Sequence, residues 1–429
     1  MVVPALARGK FADPVFLLAG GPGQSAIDLA PSVLPLLARL NNRRDLVFID
    51  QRGTGRSAPL ECDSARREPL SDASDPERQV RMLAECRVRL QALSYVGGAD
   101  GLRYFTTSIA VQDFDAVRRA LGAEQINLIA ASYGTRAALE YQRQFPGAVR
   151  RAVLDGVAPP DMVLPASFST DAQAALDAVF DSCAREAACV AAHPRLRETW
   201  QTLLSSLPRM AVVAEAVTGA PEKIEITRDV LLGALRGPLY VPALAAALPA
   251  AIDAAAQGRF EALVGLSALL SSRKGGQWAM GMHFSVVCAE DVPRLASAED
   301  PPGADFGRDF ARLYERVCAD WPSGDVPAAF YRLTPSRSPL LLLSGGLDPA
   351  TPPRHALRAA AALGPKAQSV VVPNAGHGVM GLGCMREVIF RFIDASDDAV
   401  ASPVDAGCAM RIPKPPAFRA AAAPAASSR

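Results

Sequence analysis

The chain has 429 residues, of which 50% are hydrophobic and 21% are charged. Its 45 basic and 44 acidic residues nearly cancel, so there is no basic excess for a nucleic acid and no acidic tail. The longest apolar stretch, 239–252, contains two prolines and is shorter than the roughly 18 apolar residues of a membrane-spanning helix. These features exclude nucleic-acid-binding and membrane-spanning classes, and they predict a globular protein with neither kind of partner.

Short apolar runs alternate with a helical pattern in the first 160 residues. The segment 111–122 places Phe114, Val117 and Leu121 on one helical face and stops at Gly122. Such alternation is typical of a parallel sheet covered by helices. The runs that we interpret as buried strands are 14–19, 46–50, 126–131 and 152–157.

The pattern changes at about residue 159. From there to residue 334 the chain is rich in Ala and Leu and mostly helical, and strand patterns return in PLLLLSGG and SVVVPNAG. We interpret this as one α/β domain, 1–160 and 335–412, interrupted by a helical cap, 161–334. The segment 413–429 ends in the low-complexity run RAAAAPAASSR and is predicted to be disordered.

Eight cysteines fall in four sequential couples without a CxxC motif, and only four histidines accompany them, which argues against a zinc site. Disulfides between neighbours would indicate an oxidising compartment, whereas the alternative is a set of scattered buried thiols. Eight cysteines allow about 105 pairings. The start MVVPALARGK lacks the features of a signal peptide. The predicted disulfides are Cys62–Cys86, Cys183–Cys189, Cys288–Cys318 and Cys384–Cys408.

The segment INLIAASYGTRAALEYQRQF turns from a buried strand into a helix around Ser132. This is the pattern of a nucleophile elbow, a tight turn that strains the nucleophile and lifts its hydroxyl above the sheet. Small residues are needed at the positions two before and two after the nucleophile, and around Ser132 these are Ala130 and Gly134. Alanine replaces the usual first glycine, and similar patterns also occur in ordinary turns. The strand-to-helix context favours Ser132 as a nucleophile.

A serine nucleophile needs a base, and the loop histidine of VVVPNAGHG, His377, directly follows a predicted strand. We favour it over the other three histidines because of this position. Those three lie in the helical insertion or at a predicted helix start: His193, His283 and His355.

Two acids at strand ends satisfy the order serine, acid, histidine. Asp348 lies in the glycine- and proline-rich loop of LLLLSGGLDPATPP, where a carboxylate can reach an imidazole, and we favour it. Asp155 in AVLDGV is interpreted as a buried structural carboxylate.

The glycine-rich segment LLAGGPGQSA ends an early strand, so its backbone N–H groups can face a ligand. The N–H groups of Gly21 and Tyr133 are the predicted oxyanion donors. A phosphate-binding loop is the rival interpretation, but the Lys-Ser/Thr ending of a P-loop is missing, and DQRGTGRS lacks the third glycine of a dinucleotide fingerprint.

The segments AGGPGQS, DQRGTGRS, ASYGTRAALEY, LSGGLDPATPP and NAGHG, in this order, resemble the proline iminopeptidase and tripeptidyl aminopeptidase family of serine peptidases. This family belongs to the α/β-hydrolase superfamily, and the match runs from about residue 13 to residue 392. The resemblance implies an α/β-hydrolase fold, with a mostly parallel central sheet and a helical cap inserted between strands. It also implies that the enzyme needs neither a metal nor a cofactor.

Carried over to this sequence, the resemblance implies a triad of Ser132, Asp348 and His377, with Gly21 and Tyr133 at the oxyanion hole. It further implies that DQRGTGRS is an architectural turn, in which Asp50 and Arg52 hold neighbouring loops.

The sequence departs from the family in two places. Ala19 stands where members usually have a histidine ahead of the two glycines. Members also have two more strands before this loop, so we expect the chain as given to begin inside the second of them. A start inside this strand would also explain why no export signal is seen. We expect a periplasmic or secreted protein, with the cytoplasm as the alternative.

Within the cap, MHFSVVCAEDVPR contains the adjacent acids Glu290 and Asp291. Adjacent acids are most often a solvated helix end, but the resemblance implies a cap carboxylate that holds the free α-amine of a peptide. Glu290 is the stronger candidate for this role and Asp291 the weaker one. The cap would then measure how many residues are removed, either one residue such as proline or a tripeptide.

We therefore predict a serine aminopeptidase that acts near the free N-terminus of peptides. An esterase or lipase-like hydrolase with the same triad is the alternative, and a non-catalytic binding protein is a remote third possibility. The sequence indicates no oligomeric state.

Overall fold

The computed structural model describes residues 1–62, 75–214, 219–271 and 278–418. The strands of its central sheet are β1 (Val2–Val3), β2 (Val15–Leu18), β3 (Leu46–Phe48), β4 (Ile126–Ala131), β5 (Val149–Asp155), β8 (Leu340–Gly345) and β9 (Ala367–Val372). They lie in the order β1-β3-β2-β4-β5-β8-β9. Every neighbouring pair is parallel except β1 and β3, which pair antiparallel.

All six strands predicted from the apolar runs belong to this sheet. A parallel sheet is covered on both faces, and its strands therefore read as continuous apolar runs. Along β2, Val15 and Leu17 pack into the apolar layer of one face, while Phe16 and Leu18 pack into the layer of the other. The fold class predicted from the sequence is confirmed.

Helices cover both faces of the sheet. The helices outside the cap are α1 (Ala26–Val33), α2 (Ala38–Asn41), α3 (Pro76–Gln91), α4 (Thr107–Ala120), α5 (Tyr133–Gln144), α15 (Pro353–Leu363), α16 (Met385–Asp394) and α17 (Asp398–Ala401). The predicted helix around Phe114 is α4, and Gly122 follows it with φ +68°, a backbone conformation that glycine adopts without strain.

The segment between β5 and β8 is mostly helical and has an apolar core of its own around Trp200, Leu235 and Ile252. It also contains an antiparallel hairpin, which the Ala- and Leu-rich composition did not predict. The hairpin is β6 (Arg209–Ala214) and β7 (Pro221–Ile226). The helices are α6 (Ala166–Arg185), α7 (Ala187–Ala192), α8 (Leu196–Ser205), α9 (Arg228–Leu239), α10 (Pro242–Ala245), α11 (Leu248–Ala256), α12 (Glu261–Ser271), α13 (Met280–Glu290) and α14 (Asp309–Cys318).

The beginning of the predicted disordered tail packs against the cap. Phe418 donates its backbone N–H to the carbonyl oxygen of Ala246 at 2.9 Å, and Ala417 joins the apolar core of the cap. Residues 413–418 thus have contacts with the rest of the chain, and the remainder of the predicted tail, 419–429, lies outside the described residues.

The predicted disulfide pairing is confirmed for all eight cysteines, which leaves no free thiol. Cys288–Cys318 joins the last turn of α13 to the end of α14. Four disulfides are typical of proteins in an oxidising compartment, outside the cell or in the periplasm. Within the described ranges, no helix is both long and apolar enough to span a membrane.

Candidate active site

Ser132 lies at the turn between β4 and α5. Its backbone has φ 54° and ψ −127°, a left-handed region that a residue with a Cβ adopts only when the surroundings enforce it. Its N–H donates to the carbonyl oxygen of Asp155 at 2.8 Å. A Cβ on Gly134 would lie only 2.5 Å from the carbonyl oxygen of Leu18, so the helix approaches β2 too closely for any larger residue. The turn therefore has the strained geometry predicted for a nucleophile elbow.

His377 and Asp348 follow neighbouring strands and meet at the same edge of the sheet. Nδ1 of His377 lies 2.8 Å from Oδ2 of Asp348. The other carboxylate oxygen, Oδ1, accepts the N–H groups of Ala350 and Thr351 at 2.8 and 2.9 Å. The Asp348 carboxylate is thus buried but fully hydrogen-bonded.

The electrostatics of this pair favour an ionised acid and a basic imidazole. Burial opposes ionisation of Asp348, but His377 and the backbone donors hold the pKa of this carboxyl below its usual range. Burial also acts to lower the pKa of His377, but the Asp348 carboxylate outweighs it and raises the pKa above its usual value. A base oriented in this way can accept a proton at Nε2.

Thr351 is part of the pair, although the sequence analysis did not select it. Its hydroxyl donates to Oδ2 of Asp348 at 2.8 Å and lies 3.1 Å from Nδ1 of His377. A Cβ on Gly156 would lie 2.9 Å from this hydroxyl and 3.2 Å from Cε1 of His377, so the backbone at Gly156 packs closely against both side chains. The spacing in DPAT could have identified Thr351, because an Asp that starts a turn often bonds the residue three positions on.

Asp155, the alternative acid, contacts the histidine loop through its backbone. Its carboxylate accepts the N–H groups of Val379 and Met380 at 2.8–2.9 Å. Burial raises the pKa of Asp155 to about 6. These contacts agree with the structural role expected for Asp155, whereas Asp348 is the acid that bonds the imidazole.

The two predicted oxyanion donors come from the glycine loop, Gly20–Gly23, and from the residue that follows Ser132 in the elbow. Gly21 has φ +110°, and a Cβ at this position would lie 2.5 Å from the backbone nitrogen of Gly23, so the loop requires glycine here. Tyr133 is the first residue of α5, where backbone N–H groups have no partner within the helix. A Cβ on Gly20 would lie 3.0 Å from Cβ of Ser132, which shows how closely the loop approaches the elbow.

Glu290 and Asp291 lie at the end of α13 and are fully enclosed, with 1% and 0% exposure. Oε1 of Glu290 accepts the N–H of Thr107 at 2.7 Å, and its Oε2 accepts the hydroxyl of Thr107 at 3.0 Å. Asp291 accepts Nη1 of Arg136 at 2.9 Å and the N–H of Leu164 at 3.0 Å. The predicted amine-binding carboxylates thus have protein partners and no exposure to a ligand in this structure.

Asp50 and Arg52 hold neighbouring loops, as the resemblance implied. Asp50 accepts the hydroxyl of Ser25 at 2.7 Å and the N–H of Arg56 at 3.1 Å. Arg52 forms a two-point ion pair with Asp113 at 2.6 and 2.7 Å. Neither residue contacts the pair of Asp348 and His377 through these bonds.

The mostly parallel sheet and the strained serine turn are the features of an α/β-hydrolase, and a comparison with protein families gives the same class. A family model described as the alpha/beta hydrolase fold matches residues 13–383, and the chain belongs to this family. The protein is a serine hydrolase of the α/β fold.

The chain is similar in sequence to several curated relatives. The chain is 26% identical over 413 residues to a putative hydrolase, YuaR, of Escherichia coli K12, covering 90% of this chain and 79% of the relative. It is 26% identical over 366 residues to the serine protease Hip1 of Mycobacterium tuberculosis H37Rv, covering 78% of this chain and 69% of the relative. It is also 30% identical over 151 residues to a tripeptidyl aminopeptidase of Streptomyces lividans, covering 33% of this chain and 28% of the relative.

Proposed function

We propose that the protein is a serine aminopeptidase that hydrolyses peptide bonds near the free N-terminus of peptides. The proposed triad is Ser132, His377 and Asp348. The observation that carries the proposal is the hydrogen bond between Asp348 and His377, formed at the edge of the sheet where the strained turn presents Ser132. Nucleophile, base and orienting acid are the three parts that acyl transfer needs.

In the proposed mechanism, Asp348 holds the Nδ1 proton of His377, so that Nε2 is free to accept the proton of the Ser132 hydroxyl. Ser132 attacks the scissile carbonyl carbon, and the N–H groups of Gly21 and Tyr133 stabilise the oxyanion. His377 then donates its proton to the leaving amine, and an acyl-enzyme forms. Water, activated by the same imidazole, releases the acyl group and regenerates the serine.

A peptide substrate is supported by the relatives named as a serine protease and a tripeptidyl aminopeptidase. The four disulfides support a periplasmic or secreted protein, where such an enzyme meets exogenous peptides. The enclosed carboxylates of Glu290 and Asp291 do not support the amine-binding role predicted for them, and the proposal does not rest on it.

The test has two parts. A fluorophosphonate probe should label wild type at Ser132, and Ser132→Ala should abolish labelling and lower kcat by about 10⁴- to 10⁶-fold. Labelling of the variant would overturn the assignment of the nucleophile, and no labelling of folded wild type would favour a binding protein.

The second part separates a peptidase from an esterase. Wild type should cleave an amino-acyl amide much faster than the same amide with an acetylated N-terminus. Equal rates on the two amides, with faster cleavage of a small neutral ester, would favour the esterase.

A further inference from the structure

Helix α13 forms hydrogen bonds with residues next to both predicted oxyanion donors, Gly21 and Tyr133. Each of its residues from Gly281 to Glu290 is buried, which is unusual for a helix of a cap. Its start lies against the glycine loop, Gly20–Gly23, and its last residue, Glu290, is linked to Tyr133 through Thr107. One helix thus touches two segments that are far apart in the sequence.

At the start of α13, two hydrogen bonds hold the glycine loop. Nδ1 of His283 lies 3.1 Å from the carbonyl oxygen of Pro22, and the N–H of Ala279 donates to the carbonyl oxygen of Gly23 at 2.9 Å. A Cβ on Gly23 would lie 3.0 Å from the carbonyl oxygen of Ala279, so the loop and the helix start are in direct contact.

The hydrogen bonds of His283 determine its tautomer. A carbonyl oxygen only accepts, so the proton must be on Nδ1 for the bond to Pro22 to form. Nε2 is then an acceptor, and it lies 2.7 Å from the hydroxyl of Tyr314, which donates to it. Burial lowers the pKa of His283 to about 4, so the imidazole is neutral at pH 7. The ring is also packed between Trp278 and Phe284, which limits its rotation.

At the end of α13, a chain of hydrogen bonds leads to Tyr133. Gln51 donates to the Tyr133 hydroxyl at 2.9 Å, and this hydroxyl lies 2.6 Å from the hydroxyl of Thr107. Thr107 in turn donates to Glu290 at 3.0 Å, so Tyr133 is the donor in its own bond to Thr107. Nη1 of Arg136, one turn along α5, lies 3.5 Å from Glu290 as well. The side chain of Tyr133 is therefore anchored to α13.

We infer that α13 aligns the oxyanion hole and that His283 is a positioning residue for its Gly21 side. By holding the carbonyl oxygen of Pro22, the imidazole fixes the Pro22–Gly23 peptide and, through the Gly21–Pro22 bond, limits the direction in which the N–H of Gly21 points. The inference rests on the proposed function, because it assumes that Gly21 and Tyr133 donate to an oxyanion. His283 itself donates to Pro22 and not to the substrate.

Two substitutions separate the bond to Pro22 from the bond to Tyr314. His283→Asn keeps an amide near the place of Nδ1 and retains a donor for Pro22. His283→Gln moves the amide towards the place of Nε2 and retains a partner for Tyr314 only. A displaced oxyanion donor costs catalysis more than substrate binding, and a misplacement of about 1 Å can cost about 100-fold. We expect kcat to fall about 10- to 100-fold in His283→Gln and to stay within about threefold of wild type in His283→Asn, with KM little changed in both.

A transition-state analogue provides a readout that a loss of stability would not produce. A peptidyl trifluoromethyl ketone forms an oxyanion on the serine, whereas the corresponding alcohol cannot. His283→Gln should weaken inhibition by the ketone in proportion to the loss in kcat and leave inhibition by the alcohol unchanged. His355→Asn is the matched control, since His355 is equally buried and bonds Asp171 of the cap at 2.8 Å but does not touch the glycine loop. It should lower the melting temperature without changing the ratio of the two inhibition constants.

Equal kcat and equal ketone inhibition in wild type and His283→Gln would overturn the inference, as would equal losses for ketone and alcohol. If His283→Gln fails to fold, the double variant His283→Leu/Tyr314→Phe tests the same bond, because it removes the donor to Pro22 and leaves no hydroxyl of Tyr314 unpaired. This double variant with wild-type kcat and wild-type ketone inhibition would likewise overturn the inference. Hydrolysis that survives Ser132→Ala would instead overturn the proposed function, so the two failures are distinguishable.

Discussion

Oδ2 of Asp348 lies 2.8 Å from Nδ1 of His377, and the two residues follow neighbouring parallel strands. The carboxyl ends of β8 and β9 lie at one edge of the sheet, so the loops that leave them meet. The carboxylate is held from its other side by two backbone N–H groups and is not free to rotate away from the imidazole. The predictions below depend on this arrangement.

Asp348→Asn should lower kcat by about 10⁴-fold, because the amide can no longer hold the Nδ1 proton of His377. The kinetics of amino-acyl amide hydrolysis check this. Asp155→Asn is the matched control, since Asp155 bonds the backbone of the histidine loop and not its ring. It should lower the free energy of unfolding by about 1–3 kcal/mol and affect kcat much less. The reverse order of the two effects on kcat would show that Asp155 is the acid.

The pH dependence of kcat/KM should report the imidazole of His377. This base works only when it is neutral, and Asp348 raises its pKa, so kcat/KM should rise with pH with a midpoint above about 6.5. Asp348→Asn removes the carboxylate and leaves the burial, so the midpoint of its residual activity should move to lower pH. A midpoint that is the same in both proteins would assign the profile to another group.

Stability should fall as the pH rises through the range in which Asp155 ionises. The pKa of this residue is about 6 in the folded chain, above the roughly 3.9 of an unfolded one, so the folded state binds the proton more tightly. Its favourable contribution is fully present below about pH 4 and is lost towards pH 6, by at most about 3 kcal/mol. Urea unfolding of wild type and Asp155→Asn between these pH values checks this. The difference between the two proteins should vary with pH, and a constant difference would contradict the prediction.

Glu290→Gln should impair hydrolysis of free and N-acetylated peptides by the same factor. Burial raises the pKa of Glu290 to about 7, although Arg136 lowers it, and both carboxylate oxygens accept from Thr107. The amide of glutamine offers one acceptor, so one Thr107 donor loses its partner at a cost of about 1–3 kcal/mol. Rates on the paired substrates and the melting temperature measure the effect. A loss confined to peptides with a free amine would restore the amine-binding role predicted from the sequence.

Replacing Cys288 and Cys318 by alanine should destabilise the protein and also lower kcat. This disulfide joins α13 to α14, which carry His283 and Tyr314, so its loss loosens their hydrogen bond. A disulfide of this loop length typically contributes about 2–4 kcal/mol. The matched control is the double variant of Cys384 and Cys408, which should lose similar stability and keep its kcat. Equal losses of kcat in the two double variants would argue against a link through α13.

The sequence by itself determined the parallel sheet, the strained turn at Ser132 and the pairing of Asp348 with His377. Both faces of the sheet are covered, so its strands are continuously apolar and recognisable, and they fold where the sequence predicts them. Asp348 and His377 follow two of these strands, and parallel strands bring their carboxyl ends together. The disulfides were also predictable, because each links the nearest cysteine in the sequence.

Only the tertiary structure decided which side chains of the cap pack against the sheet and the serine turn. The adjacent acids Glu290 and Asp291 look like a solvated helix end or a binding site in sequence, but α13 is buried from Gly281 to Glu290 and both acids bond to the protein. His283 was set aside as a residue of the insertion, yet it reaches Pro22 across 261 positions. No local pattern encodes such contacts, because they depend on how the cap packs onto the sheet, and packing between segments distant in sequence leaves no periodic signal in either one.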